Sequence, residues 1–278
     1  MQQAHWFITG ASSGIGRELA EQLLEDGHKV FATVRRPDAL DDLKARHGDL
    51  LKVALLDVTD SAAIGAVMAQ AFAAWGRIDV VVSNAGYGLV GAAEELSDEQ
   101  IARQIQTNLT GSIGVIRAAI APLRAQGGGR IIQVSSEGGQ LTYPAFSVYH
   151  VTKWGIEGFV EAVSQEVASF GIAFTLAEPG PARTAFGAAL DLAAPLAVYD
   201  DTPVGALRRA FAAGEFAIDG DPRKMARAMI ECAAQSPAPL RLTMGSSSYH
   251  GIRAALATRL AQLEANKAVT MATDVDAA

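Results

Sequence analysis

Apolar positions along this chain fall into two alternating rhythms. Short runs of β-branched and other apolar residues, such as Trp6-Phe7-Ile8, Val30-Phe31-Ala32 and Val80-Val81-Val82, are separated by longer segments with apolar residues every three or four positions. That alternation is the signature of a parallel sheet wound with crossover helices. It predicts strands at 4–9, 28–34, 51–56, 78–83, 129–135, 172–177 and 239–244. Helices are predicted at 14–26, 38–47, 60–75, 97–124, 147–170, 222–235 and 247–265. The fold expected is one α/β domain over 1–266 with a doubly wound, Rossmann-like, seven-stranded parallel sheet. Between 184 and 221 the rhythm breaks into an Ala-, Pro- and Asp-containing stretch too long for an ordinary connection. It carries Phe186, Leu190, Leu192, Phe211, Phe216 and Ile218, enough apolar area for a lid over a hydrophobic substrate. The alternative is an accessory helix or an oligomer contact. Residues 267–278 read as an unstructured tail.

Composition narrows the class. With 278 residues, half of them hydrophobic, the chain can bury a sizeable core. A formal charge of −7 offers no attractive field to nucleic acid or an anionic membrane. The single cysteine, Cys232, forms no internal disulfide, and five scattered histidines show no metal-ligand spacing, so no metal is expected and a reducing cytoplasm fits. The N-terminus lacks the basic and apolar regions of an export signal, and no uninterrupted apolar run reaches the roughly 18 residues of a spanning helix.

Chemistry concentrates at the ends of the predicted strands. Thr9-Gly10-Ala11-Ser12-Ser13-Gly14-Ile15-Gly16 follows a strand and opens a helix, where backbone N–H groups can meet a pyrophosphate and missing Cβ atoms let it approach. Its spacing, Gly-x-x-x-Gly-x-Gly, differs from the Gly-x-Gly-x-x-Gly of the commonest dinucleotide folds. The second strand ends Val34-Arg35-Arg36, with no carboxylate for a ribose hydroxyl and two guanidiniums for a 2′-phosphate, which favours NADP(H) over NAD(H). Asp57-Val58-Thr59, Asn84-Ala85-Gly86 and Pro179-Gly180 through Thr184 stand at further strand ends, where open sheets place ligands. Each alone could be a turn or a cap.

Tyr149 and Lys153 lie one helical turn apart on one face, so an ammonium can sit near the phenol and stabilise its anion. Bringing a phenol of pKa ~10 down by about two to three units takes roughly 3–4 kcal/mol of phenolate stabilisation. Lys153 together with an oxidised nicotinamide ring could supply it.

With these motifs in this order, the chain resembles the short-chain dehydrogenase/reductase family from Trp6 to about Thr184, and more loosely to about 265. The resemblance implies that Gly10, Ser12, Ser13, Gly14, Ile15 and Gly16 cradle the cofactor. Asp57 and Val58 would border the adenine, Asn84, Ala85 and Gly86 would form the cofactor floor, and Thr184 would reach the nicotinamide side. It implies a catalytic set of Asn108, Ser136, Tyr149 and Lys153, with Ser136 preferred over Ser135 because the thirteen-residue step to Tyr149 matches the family spacing. Tyr149 would pass a proton to a carbonyl oxygen that Ser136 holds, Lys153 would also bind the nicotinamide ribose, and Asn108 would position a water leading protons to solvent. Tyr87, Gln140, Tyr143 and Phe186 are the expected substrate-facing residues. The expected activity is NADP(H)-dependent interconversion of a carbonyl and an alcohol on a small hydrophobic molecule, by a homodimer or homotetramer that buries the helices at 97–124 and 147–170. The rivals are an NADPH-binding regulator without turnover and a non-redox enzyme on the same fold.

Overall fold

The computed structural model describes residues 3–215 and 218–275, and Phe216 lies outside them. The first half runs β1 (His5–Ile8), α1 (Gly14–Glu25), β2 (Lys29–Val34), α2 (Asp41–His47), β3 (Leu51–Leu55), α3 (Ser61–Trp75) and β4 (Val80–Ser83). There follow β5 (Leu89–Val90), α4 (Asp98–Ile105), α5 (Ser112–Ala125), β6 (Gly129–Val134), α6 (Ser147–Val167) and β7 (Ile172–Pro179). The remainder is β8 (Asp191–Leu192), α7 (Pro203–Ala213), α8 (Pro222–Ala233), β9 (Arg241–Met244), α9 (Ser246–Ala265) and α10 (Lys267–Met271).

Seven strands form one parallel sheet in the order β3-β2-β1-β4-β6-β7-β9. Chain order reverses between β1 and β4, the switch point beside which such sheets open a crevice at their carboxyl ends. Helices cover both faces, which is why strand residues such as Phe7, Ile8, Val81 and Val82 are buried without alternation. On one face α1 and α8 contribute Leu19, Leu23, Met225 and Met229 to the core. On the other, α3, α5 and α6 contribute Ile64, Ile116, Leu123, Ile156 and Val160.

Three features depart from the sequence reading. The helix expected over 97–124 is interrupted by a π-helical turn, Gln106–Gly111, between α4 and α5. The break in rhythm at 184–221 holds structure of its own: β8 pairs with β5 in a separate two-stranded sheet, and α7 begins at Thr202, whose hydroxyl accepts from the Val204 N–H. The segment expected to be an unstructured tail starts with the exposed helix α10.

Candidate active site

The glycine turn is held from below. The Thr9 hydroxyl accepts from the backbone N–H groups of Asn84 (2.9 Å) and Ala85 (3.1 Å), while the Asn84 amide donates to the carbonyls of Thr9 (2.9 Å) and Gly10 (3.1 Å). This lacing joins the ends of β1 and β4 at the switch point. Gly10 has φ +66°, and a Cβ there would stand 2.8 Å from the Ala85 Cα; on Gly16 it would stand 2.4 Å from the Asn84 amide nitrogen. Both are therefore fixed by close approach.

The helix that the turn opens is left uncapped. Asp60 caps α3 and Asp221 caps α8 through side-chain oxygens, but Ser13, extended before α1, makes no such bond. The N–H groups and positive end of this twelve-residue helix thus face outward beside Ser12, Ser13 and Ile15, as an anion site requires. Thr184, at the start of the irregular segment, lies over the turn, 3.6 Å from where a Cβ on Gly14 would be.

At the end of β2, Arg35 and Arg36 are exposed and make no ion pair among the described residues, whereas neighbouring Arg17 pairs with Asp42. Arg35 lies within electrostatic reach of Asp57, whose carboxyl is held below its ordinary value chiefly by the Thr59 N–H and hydroxyl. Val58 packs under the π turn, against Gly111. Val34 is 2 % exposed and belongs to the core, so the edge that a ribose would meet is formed by the arginines rather than by that side chain.

Tyr149 and Lys153 sit on α6 with Ser136 facing the phenol from the loop after β6. The Lys153 ammonium donates to the Val134 carbonyl (3.1 Å) and lies 5.6 Å from the Tyr149 ring centre. Burial pushes the Tyr149 phenol up to about 12; the Ser136 hydrogen bond works against this and the Glu137 charge adds to it. Burial also brings Lys153 down to about 8, opposed by Glu157 one turn further along. In the protein without cofactor, dehydration of the buried phenolate dominates, while the ammonium donates one hydrogen bond to a backbone carbonyl.

Asn108 lies in the π turn, where a widened backbone often marks a functional position. Its amide accepts from the Tyr87 N–H (3.1 Å) and donates to the Tyr87 carbonyl (2.8 Å), and Gly86 leaves room for it. Gln104 donates to the same carbonyl (3.0 Å).

The residues expected around the substrate divide. Phe186 stacks edge-on to Tyr149, their ring centres 6.1 Å apart, and Phe146 (5.9 Å from Tyr149) links that pair to Tyr143 and Phe211. Tyr143 donates its hydroxyl to Glu137. Tyr87 approaches Arg103 on α4. Gln140 is corrected: it is buried, and its amide donates to Glu157 (3.1 Å) and Glu178 (3.2 Å), because those acids need donors inside the protein. Ser135 likewise donates to Glu157 (2.6 Å), which leaves Ser136 as the serine beside Tyr149. Arg241 pairs with both acids. Pro179 and Gly180 end β7 nearby, where Gly180 has Ser248 and Glu137 close by.

Sequence reasoning missed His150. Its Nε2 accepts from the Tyr143 N–H (2.9 Å), so its proton sits on Nδ1, which donates to the Gly138 carbonyl (2.8 Å). The neutral ring thereby fastens the Ser136 loop to α6, and burial holds its pKa below the ordinary value. A histidine directly after the tyrosine was the visible signal; its two partners were not.

The chain matches the family model for short chain dehydrogenase over residues 4–193 and belongs to that family of oxidoreductases. It is 37% identical over 242 residues to oxidoreductase BOA17 of Botryotinia fuckeliana (strain B05.10), covering 86% of this chain and 88% of that one. It is 31% identical over 246 residues to 3-ketodihydrosphingosine reductase of Bacteroides thetaiotaomicron, covering 88% and 89%. Among solved structures, a short-chain dehydrogenase from Streptomyces avermitilis superposes with a TM-score of 0.91 at 36% identity, covering 98% of this chain and 99% of that one. More distant neighbours sharing the fold include one with NADP bound and one in complex with NAD.

Proposed function

We propose that this oxidoreductase interconverts a carbonyl and a secondary alcohol on a mostly hydrophobic substrate, with NADP(H) as the preferred cofactor. The observation that carries this reading is the convergence of Ser136, Tyr149 and Lys153 at the carboxyl edge of the sheet, beside an uncapped helix behind a glycine turn. The edge fits a dinucleotide: N–H groups of the turn suit the pyrophosphate, and Arg35 and Arg36, exposed and without an ion pair among the described residues, suit a 2′-phosphate. When bound, the nicotinamide supplies or accepts the hydride.

The chain's own residues handle the proton. Tyr149 keeps its proton at neutral pH and gives it to the carbonyl oxygen in reduction, while Ser136 holds the same oxygen by hydrogen bond. In oxidation the phenol must lose that proton first, and Lys153 holds the ribose and favours the phenolate. Phe186, Phe146 and Phe211 exclude water above the phenol, so 184–221 acts as the lid. A relative named 3-ketodihydrosphingosine reductase is in keeping with a reaction at a keto group. The protein works in the cytoplasm, as a homodimer or homotetramer. Light scattering checks the assembly, and a mass near 29.0 kDa would refute it.

The test is a panel of hydrophobic ketones and alcohols followed at the nicotinamide absorbance with both cofactors. Turnover is expected, faster with NADPH. Tight NADPH binding with no turnover across the panel would replace the enzyme by a regulator.

A further inference from the structure

Among the described residues, buried carboxylates come with a guanidinium, with one exception. Glu157 and Glu178 share Arg241, and the Glu95 side chain faces Arg208 at 3.1 Å. Glu137, 6 % exposed, has no basic partner among the described residues. One of its oxygens accepts from the Tyr143 hydroxyl; the other, Oε2, makes no hydrogen bond among the described residues. That oxygen points to the end of β7, 3.3 Å from where a Cβ on Gly180 would stand. The Oγ atoms of Ser248 and Ser247 are 2.3 and 3.2 Å from the same point. Ser248 is fully buried and its hydroxyl has no partner among the described residues. Three oxygens therefore lie around the backbone of Gly180, close enough that a side chain there would collide with Ser248, and Glu137 is one residue along from Ser136.

A buried charge without a counter-ion is costly unless something pairs with it. His150, whose ring feels the Glu137 charge, cannot pair: both its nitrogens are engaged and its proton faces Gly138. The other groups against Glu137, Tyr143 and Tyr149, are neutral phenols. Glu137 follows Ser136 directly in the chain and stands close enough to Tyr149 for its charge to oppose ionisation of the phenol. Resting on the activity proposed above, we infer that Glu137 is a substrate-binding residue that selects a hydrophobic carbonyl or alcohol carrying a protonated amine near the reacting carbon. An ammonium there would supply the missing donor and positive charge. It would also offset the negative charge that opposes ionisation of Tyr149, so such a substrate would gain in turnover as well as in binding.

The test compares oxidation of a long-chain amino alcohol, its amine on the carbon next to the hydroxyl, with the isostere carrying methyl in place of the amine. Turnover of the isostere reports the proposed activity by itself. In the wild-type protein kcat/KM should favour the amine by tenfold or more, and Glu137→Gln should lower that ratio at least tenfold. Equal loss on both substrates, or no preference in the wild-type protein, would overturn the inference and leave Glu137 as an anchor for Tyr143. Should the variant fail to fold, calorimetry on the wild-type protein saturated with NADP+ decides. A long-chain alkylammonium must bind at least tenfold tighter than the alkanol of equal length, and equal affinities would overturn it.

Discussion

The cofactor edge and the lid meet at Tyr149 but are built in opposite ways. At the edge, backbone groups of β1 and β4 are laced through Thr9 and Asn84, and a single added methyl on Gly10 or Gly16 would collide with its neighbours. In the lid, Leu192 and Val198 are 66% and 72% exposed, β8 holds to β5 by a two-residue pairing, and Asp191 is tethered to α4 by Gln100 and Arg103. One region is over-determined and the other is lightly held. Positioning a phosphate and a hydride donor needs fixed geometry, while admitting a substrate needs a part that can open.

The largest effect is expected at the meeting point. Tyr149→Phe keeps the ring that packs against Phe186 and removes the transferable proton. It should cut kcat by on the order of 10²–10⁴-fold while leaving NADPH affinity nearly unchanged. Residual kcat above about a tenth of wild type, a loss under roughly 1.4 kcal/mol, would show that the acid lies elsewhere. In the wild-type protein, oxidation should accelerate with rising pH, because the phenol is pushed up to about 12 and must deprotonate before it can act as a base.

On the rigid side, replacing Arg35 and Arg36 together by Ala should remove roughly 1.5–3 kcal/mol of NADPH preference, a ten- to hundred-fold change measured as the ratio of kcat/KM for the two cofactors. Comparable kcat/KM for NADH and NADPH in the wild-type protein would assign both arginines to the solvated surface. An Asp at position 34 is a poorer probe, because Val34 is in the core and a carboxylate there would be buried.

Between the two regions, His150→Phe orphans the Tyr143 N–H and the Gly138 carbonyl and should cost about 1–3 kcal/mol in urea unfolding. The native ring is held neutral, whereas the unfolded imidazole titrates near 6.5. Below that value the unfolded chain binds the extra proton, so stability falls as pH drops through about 6.5 toward the lowered native value. His150→Gln should flatten this part of the profile, leaving the share of His28, which burial also lowers. An unchanged profile would mean that the ring takes up a proton when folded.

The smallest effect belongs to the lid. Asp191→Ala breaks an exposed tether worth about 0.2–1 kcal/mol, so the melting temperature should hardly move. The KM should rise several-fold if the segment closes over substrate. An unchanged KM would make 184–221 an accessory element.

The sheet was legible because a strand covered on both faces must be apolar throughout, and Val80-Val81-Val82 has no other reading in its context. The glycine turn and Tyr149-x-x-x-Lys153 were legible because their chemistry is local in sequence. What escaped was what depends on distant partners. Gln140 looks like a pocket residue until Glu157 and Glu178, 17 and 38 positions away, claim its amide. Burial sets the direction of the Tyr149 shift in the protein without cofactor, and no spacing rule reports burial. Helix α7 was missed because Pro203 and the exposed apolar residues before it read as irregular chain.

The π turn at Gln106–Gly111 acts as a phase shifter. Each residue of an α-helix advances about 100° around the axis, so a turn that holds one residue more re-indexes everything beyond it. Before the turn, α4 aims Gln100 and Arg103 at the lid; after it, α5 aims Val115, Ile116, Ala119 and Leu123 at the sheet. One continuous rod can thus be read in two registers, with Asn108 at the change. Deleting a single residue there would restore an ordinary helix and rotate one half against the other, so that either the lid loses its tether or the core loses a face.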